Sequence, residues 1–375
     1  MTRRALIVLG TAAVVVASYV ASATARSSLR PAPVHPRPVV QPLSRELNDL
    51  PAARVTANPK QGELVIELPP VDLPAGAEHH STDQPPVARA ALPVSGWIYG
   101  FRTELVDETG RMLSPRLVHH FNVLDPTHRE LFIPVGQRIA AAGQETGVVR
   151  LPRLLMGSPF TSGSTVVASA MLHNPTAETY HGVRVRLVLY YTPEGRPWPF
   201  FRTFPWQLDV GFPVGDKSFD LPPGRSERSY EGSPAVAGSI VAIGGHLHDY
   251  GLSIELDDAT TGEVIWRAEP VRDARSDVVS MPIGKLYGLT HIGARIVPEH
   301  RYRVRVVYDN PTGRTLPGGG MGVVAGLFVP DGDAPWPAIN PNDSLYQEDL
   351  RHFLRLHGIW LEARRGGMPM PHMHH

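Results

Sequence analysis

The sequence predicts an all-β protein: two tandem antiparallel β-sandwich (jelly-roll-like) domains, with a short C-terminal helix and a flexible tail. Three observations predict it. The 375 residues suffice for two domains with cores of their own. Proline (38) and glycine (35) are plentiful while charged residues make up only 19%, a mix that suits short strands and many turns better than long helices. Short runs also alternate apolar and polar residues with a period of two. In Val183-Arg184-Val185-Arg186-Leu187-Val188-Leu189 one face packs and the other meets water.

Taken in order, residues 1–25 read as an export signal. Arg3-Arg4 supplies a positive n-region, residues 5–21 are uncharged and mostly apolar, and Ala23-Thr24-Ala25 is an A-x-A cleavage site. The competing reading is an uncleaved membrane anchor through residues 5–21. Either reading puts the body of the protein outside the cytoplasm: secreted, periplasmic or on the cell surface. Residues 26–60 read as a Pro-rich linker, with Pro31, Pro33, Pro36, Pro38 and Pro42 favouring extended, unpacked chain. Ordered structure is expected from Gly62-Glu63-Leu64-Val65-Ile66-Glu67-Leu68 onward.

Residues 61–198 are expected to form the N-terminal sandwich, with strands over 96–106, 116–124 and 183–191. Residues 199–331 are expected to form the second, with strands over 240–256, 263–267, 301–308 and 322–329. Turn signals such as Asp107-Glu108-Thr109-Gly110 and Thr260-Thr261-Gly262 separate them. The aromatic, proline-rich stretch around Trp198 to Trp206 joins the two. Residues 332–375 are expected to hold a helix and a Met/His-rich tail. Asn342-Asp343-Ser344 caps the helix, and Leu350, Phe353, Leu354 and His357 share one of its faces. The chain ends Met368-Pro369-Met370-Pro371-His372-Met373-His374-His375. No internal repeat of fixed short period is visible, although each half carries one cluster of metal-type residues.

Composition removes several function classes. Lys+Arg and Asp+Glu both total 36, so no global field draws the chain to nucleic acid or to an anionic membrane surface. Cysteine is absent, which excludes disulfides, iron–sulfur clusters, thiolate zinc sites, blue-copper sites and a lipoprotein attachment site.

The chemistry-bearing residues lie on strand-like segments far apart in the chain. His246 and His248 are two apart, so on a strand both imidazoles leave one face and can meet one ion. An HxH pair also occurs in cupins, but a cupin needs a glutamate four or five positions later, where Leu252 and Ser253 stand. His119-His120 is adjacent, so joint ligation requires a strand end, a bulge, or different ring nitrogens. His79-His80, among Glu78, Ser81, Thr82 and Asp83, reads instead as solvated loop. Taken alone, His173 reads as a satisfied, partly buried histidine, and Met321 as a core residue beside Gly318-Gly319-Gly320. Imidazole nitrogen combined with thioether suits copper cycling between Cu(I) and Cu(II), and suits calcium or magnesium poorly.

The ordered set His119-His120, His173, His246-x-His248, Met321 resembles that of the copper type II ascorbate-dependent monooxygenases, the group of peptidylglycine α-hydroxylating monooxygenase and dopamine β-monooxygenase. A second resemblance is to the plant stress-up-regulated nodulin-like family. It rests on Glu104-Leu105-Val106-Asp107-Glu108-Thr109-Gly110, on Gly244-Gly245-His246-Leu247-His248-Asp249-Tyr250-Gly251 and on Met321-Gly322-Val323. Together the matches span residues 62–330. The first resemblance implies two copper ions. His119, His120 and His173 would hold one as an electron store, and His246, His248 and Met321 would hold the other, which binds oxygen and carries the catalysis. It further implies O2, an external reductant that need not be ascorbate, and hydroxylation of a C–H bond in a small substrate. Two departures stand out: those enzymes carry several disulfides, and the peptide-amidating member holds its substrate carboxylate with an Arg and a Tyr where this chain has Gly244 and Ala325.

Three readings therefore stand side by side: an exported dicopper monooxygenase-like enzyme, a non-catalytic copper-binding or copper-handling protein on the same scaffold, and a sandwich that binds carbohydrate or protein and whose histidines are coincidental. In the second reading the Met/His tail becomes an acquisition arm.

Overall fold

In the computed structural model the alternating segments pair into antiparallel sheets stacked as two β-sandwiches. The structure describes residues 45–353 apart from 78–86, 145, 196, 213–216, 275–276, 289–290 and 334. The signal or anchor segment, His79-His80, Leu354, His357 and the Met/His tail lie outside the described residues. No described helix is long and apolar enough to cross a membrane.

The first sandwich is built from β1 (Arg54–Asn58), β2 (Glu63–Glu67), β3 (Val71–Leu73), β4 (Ala88–Ala91), β5 (Gly96–Val106) and β6 (Val118–Arg129). It continues with β7 (Gly136–Gly143), β8 (Val149–Arg150), β9 (Met156–Phe160), β10 (Thr165–Leu172), β11 (Tyr180–Pro193) and β12 (Phe201–Arg202). One sheet runs β1-β2-β11-β5-β9-β12, and the other runs β4-β10-β6-β7.

The second sandwich takes β13 (Phe204–Asp209), β14 (Phe219–Leu221), β15 (Gly224–Gly232), β16 (Gly238–Leu247), β17 (Gly251–Asp258) and β18 (Glu263–Ala268). Small strands follow: β19 (Val271–Arg272), β20 (Val278–Ser280), β21 (Gly284–Lys285) and β22 (Ala294–Ile296). The half closes with β23 (Tyr302–Asn310), β24 (Leu316–Gly320) and β25 (Gly322–Pro330). Its sheets run β13-β25-β16-β21 and β15-β23-β17-β18. Besides strands the alternation did not mark, sequence and structure differ in the linker and in one long strand. The expected linker already carries a one-turn helix (Arg45–Asn48) and β1, because Leu47 and Leu50 bury in a small cluster with Tyr346 and Leu350. The expected single strand over 240–256 is two strands, broken by a turn at 248–250.

The two halves share one topology. The orders β2-β11-β5 and β13-β25-β16 correspond, as do β4-β10-β6-β7 and β15-β23-β17-β18. Side chains repeat too. Asn174 Nδ2 donates to the carbonyls of Leu73, Pro74 and Glu178, and its Oδ1 accepts from Thr176. Asn310 Nδ2 donates to the carbonyls of Leu221, Pro222 and Arg314, and its Oδ1 accepts from Thr312. Asp72 accepts the Gly182 N–H at 2.9 Å, and Asp220 accepts the Gly318 N–H at 3.0 Å, both glycines having a left-handed φ (55° and 58°). These coincidences identify a duplicated domain and make Leu172 the counterpart of Tyr308.

The halves interlock. The turn between β6 and β7 plants Leu131, Phe132, Ile133 and Val135 in the second core, where the Phe132 ring meets Trp206 at 5.5 Å and Tyr302 at 6.2 Å. Beside it Glu130, fully buried, accepts the N–H groups of Arg138 (2.7 Å) and Gln207 (3.2 Å), one from each half. After β25 the chain crosses back: Trp336 donates to the Arg129 carbonyl at 2.8 Å. Helical residues 344–353 then begin at Asp343, whose carboxylate caps the Leu345 N–H at 2.9 Å, as the sequence leads one to expect.

Two expectations follow. Phe132→Ala should lower unfolding free energy by about 3–5 kcal/mol, the range for deleting a buried phenylalanine ring, as read from denaturant midpoints. Burial pushes the Glu130 carboxyl from 4.5 up to about 7. Between those pH values the folded protein keeps a proton that the unfolded chain has released, so stability should fall as pH rises through that window. Glu130→Gln should flatten that slope, and should cost about 1–3 kcal/mol at low pH by leaving one buried N–H without an acceptor.

Candidate metal centre

His119 and His120 open β6. The β10 ladder passes from His120↔Met171 to Val118↔Leu172, so His119 is the extra residue of a β-bulge. The bulge turns adjacent imidazoles toward one another, with ring centroids 4.1 Å apart. One of the three devices the pair requires is therefore present. The same bulge recurs in the second sandwich, where Gly251↔Tyr308 passes to Ser253↔Val307 across Leu252. The irregularity belongs to the duplicated fold, and only the first half places a histidine on it.

His173 follows β10. Its N–H donates to the Leu117 carbonyl at 3.0 Å, and its Nε2 lies on the Arg116 carbonyl, an oxygen that can only accept. Nε2 therefore carries the proton and Nδ1 is the nitrogen left to act as a donor to a metal. The His119 and His173 centroids lie 5.8 Å apart.

His246 lies on β16 and His248 just past its end, before a turn in which Tyr250 adopts a left-handed φ of 67°. Their rings share a face at 5.3 Å. The register His246↔Val323, Leu247↔Gly322 continues to place Met321 opposite His248. Tyr308 holds that corner: its hydroxyl accepts the N–H groups of His248 and Met321, both at 3.1 Å, and donates to the Met321 carbonyl. Burial raises the phenol's pKa, which keeps it protonated as the donor this arrangement requires.

In space the two sets interleave. His119 lies 5.4 Å from His248, and His120 lies 5.0 Å from His246 and 5.9 Å from His248. One donor atom from each of His119, His120 and His248 falls within 4.8 Å of the others. Nε2 of both His246 and His248 is buried from solvent. This grouping contains no carboxylate, and nitrogen-only donors suit copper, zinc or nickel rather than calcium or magnesium.

The cluster and Met321 line a cavity of about 1220 Å³ whose wall includes Ala140, Met171, Val323, Ala325 and Leu327. Gly244 pairs with Ala325 across the strands, and a Cβ there would meet only Ile283, at 3.9 Å.

Sequence reasoning missed two residues of the site. Asp209 lies in register with Val323, itself in register with His246, so it shares the cavity face. Burial raises its carboxyl to about 6, while the charges of Lys217, Arg138 and His246 oppose the rise. Nothing in Trp206-Gln207-Leu208-Asp209 singles it out, because its burial follows from strand pairing alone. Tyr308 reads as one more packed residue of an alternating strand. The signal that finds it is the repeated Asn-Pro-Thr at 174 and 310, which aligns it with Leu172.

No family model matches the chain, and no curated protein matches it. Among solved structures, PNGF-II aligns at a TM-score of 0.31 and 6% identity, over 77% of this chain and 63% of that one. The chain thus spans less than two thirds of that protein's length. The infectious bursal disease virus VP2 subviral particle aligns at 0.21 and 11%, over 84% and 92%, and the mavirus major capsid protein at 0.15 and 8%, over 75% and 86%. Likenesses this weak carry no argument about this chain.

Tyr308→Phe removes the acceptor of two N–H groups and the donor to one carbonyl. It should cost about 1–3 kcal/mol of stability and loosen metal held by His248. Leu172→Ala, at the equivalent position of the other half, should lower stability without altering the spectrum of bound metal. Chemical denaturation and cobalt(II) absorption measure the two effects.

Proposed function

We propose that this is an exported copper protein with dicopper monooxygenase-like chemistry. The observation that supports this most is the convergence of five imidazoles from two sheets, four of which (His119, His120, His246 and His248) line a large, mostly apolar cavity together with Met321. The export reading rests on residues 1–25 of the sequence.

Copper bound there would supply one-electron redox chemistry and activation of O2. The overall reaction class is R–H + O2 + 2 e⁻ + 2 H⁺ → R–OH + H2O, with electrons and protons from an external reductant. The chain's own part is to bind and exclude. His119, His120, His173, His246 and His248 offer neutral nitrogen donors, and Met321 adds a soft donor that favours Cu(I). The mostly apolar wall would receive a small, largely apolar substrate. Copper handling without catalysis is the second reading. It is favoured by the Gly244/Ala325 pair, which presents no group to anchor a polar substrate.

Purified protein should retain copper in preference to zinc in elemental analysis. Reductant-dependent O2 uptake then separates enzyme from carrier: uptake with a hydroxylated product supports the first reading, and copper retention without uptake supports the second. Met321→Leu nearly conserves volume and should leave stability within about 1.5 kcal/mol. It should weaken Cu(I) retention and remove the copper–sulfur scatterer from the X-ray absorption of the reduced protein. A wild-type protein lacking that scatterer returns Met321 to the core.

A further inference from the structure

We infer that the two histidine sets form one shared metal centre, in which His119, His120 and His248 seat the first ion and so clamp one sandwich to the other. The choice of copper rests on the functional reading above; the shared seat rests on geometry alone.

Three nitrogen donors bound to one ion at about 2.0–2.1 Å lie about 3.4–3.6 Å apart. The donor atoms of His119, His120 and His248 already fall within 4.8 Å of one another, so a contraction of at most about 1.4 Å, within the reach of side-chain rotation, completes a three-coordinate seat. Two of these rings come from β6 and the third from the end of β16, so the seat exists only where both halves contribute. Apart from the adjacent His119–His120 pair at 4.1 Å, ring contacts across the halves are as short as those within them: His120 to His246 is 5.0 Å, whereas His246 to His248 is 5.3 Å and His119 to His173 is 5.8 Å.

The interlock supports this arrangement. β6 carries His119-His120 at its start and, past its far end, the turn buried in the second core. The same segment thus joins the histidine pair to Phe132, which packs against Trp206 and Tyr302 of the second half. With His119, His120 and His248 committed to the first ion, His246 and Met321 remain on the β16/β25 side, and His173 remains beyond His119. A second ion would then be a close neighbour of the first. An ion held across the halves stabilises only the chain in which both are folded and docked.

The test uses the full chain with His372, His374 and His375 replaced by alanine in every arm, so that these tail imidazoles do not contribute. Cobalt(II) serves as a spectroscopic probe and copper(II) as the expected ion. His119→Ala and His248→Ala, from opposite halves, should each abolish the absorption band of the first cobalt equivalent, and wild-type protein should unfold at a higher temperature with one equivalent bound. His248→Ala that retains the first band at full strength overturns the proposal. Wild-type protein decides the matter even where a variant fails to fold. Two copper(II) equivalents should give a dipole-coupled paramagnetic resonance spectrum, and two independent mononuclear signals with no coupling overturn the shared seat. If the protein retains zinc and rejects copper while both histidine variants lose the cobalt band, the shared seat stands and the copper reading fails. If copper binds at two uncoupled sites, copper stands and the shared seat fails.

Discussion

The insertion of the β6–β7 turn into the second sandwich is the constraint on which the rest of the molecule depends. Two β-sandwiches joined by a short connection would ordinarily be free to hinge, since inter-domain interfaces within a chain are commonly modest and polar. Here Leu131, Phe132, Ile133 and Val135 belong to the second core as fully as its own strands do. Glu130 receives one N–H from each half, and Gln137 donates to the Pro205 carbonyl at 2.8 Å. The chain after β25 adds a strap through Trp336, which stacks on Phe204 at 4.5 Å and bonds the Arg129 carbonyl. With that spacing fixed, the facing sheets are held apart by the width of a cavity at one place and by the width of two imidazoles at another.

Duplication followed by divergence explains how such a centre arises without new backbone. Both halves carry the Asn-Pro-Thr loop, the Asp-to-Gly clasp and the bulge at the start of the equivalent strand. The first half exploits its bulge, putting His119 where the second has Leu252. The second exploits the adjoining strand end, putting His248 and Met321 around a buried phenol where the first half has Leu172. The site is therefore assembled from non-equivalent corners of equivalent domains.

Much of the fold was legible in the sequence because half-buried strands advertise themselves by alternation. The span expected for β5 matches the observed Gly96–Val106, and β11, β18, β23 and β25 lie within a few residues of their expected spans. Strands without an alternating face were not legible. β15 (Gly-Arg-Ser-Glu-Arg-Ser-Tyr-Glu-Gly) is an almost wholly polar edge strand, and β7 (Gly-Gln-Arg-Ile-Ala-Ala-Ala-Gly) has small residues on both faces. The repeat was legible in Asn-Pro-Thr, but its spacing is that of a whole domain and no short-period search finds it. Of the site, the shared face of His246 and His248 follows from strand geometry and the His119-His120 problem from the same rule. The meeting of the two sets across the halves was not legible, because it depends on where an insertion of six residues lands in a core that residues far along the chain create.

Why imidazoles rather than carboxylates occupy this interface follows from the cost of burial. Two or three ionised carboxylates brought within 5 Å of one another on an apolar wall would repel and lose hydration, and without an ion they would force the sheets apart. Imidazoles pack against one another as aromatic rings and need not be ionised to offer a nitrogen donor, so they can meet at such an interface without that repulsion. The carboxylates nearby are compensated separately. Asp349 lies 3.6 Å from Arg138 and 3.9 Å from Lys217, and the positive charges of Lys217 and Arg138 also act on Asp209. Charge balance around the cavity is thus settled by residues off the histidine cluster. A cation entering the cluster meets a seat shaped by the fold, with the buried Asp209 on the same cavity face.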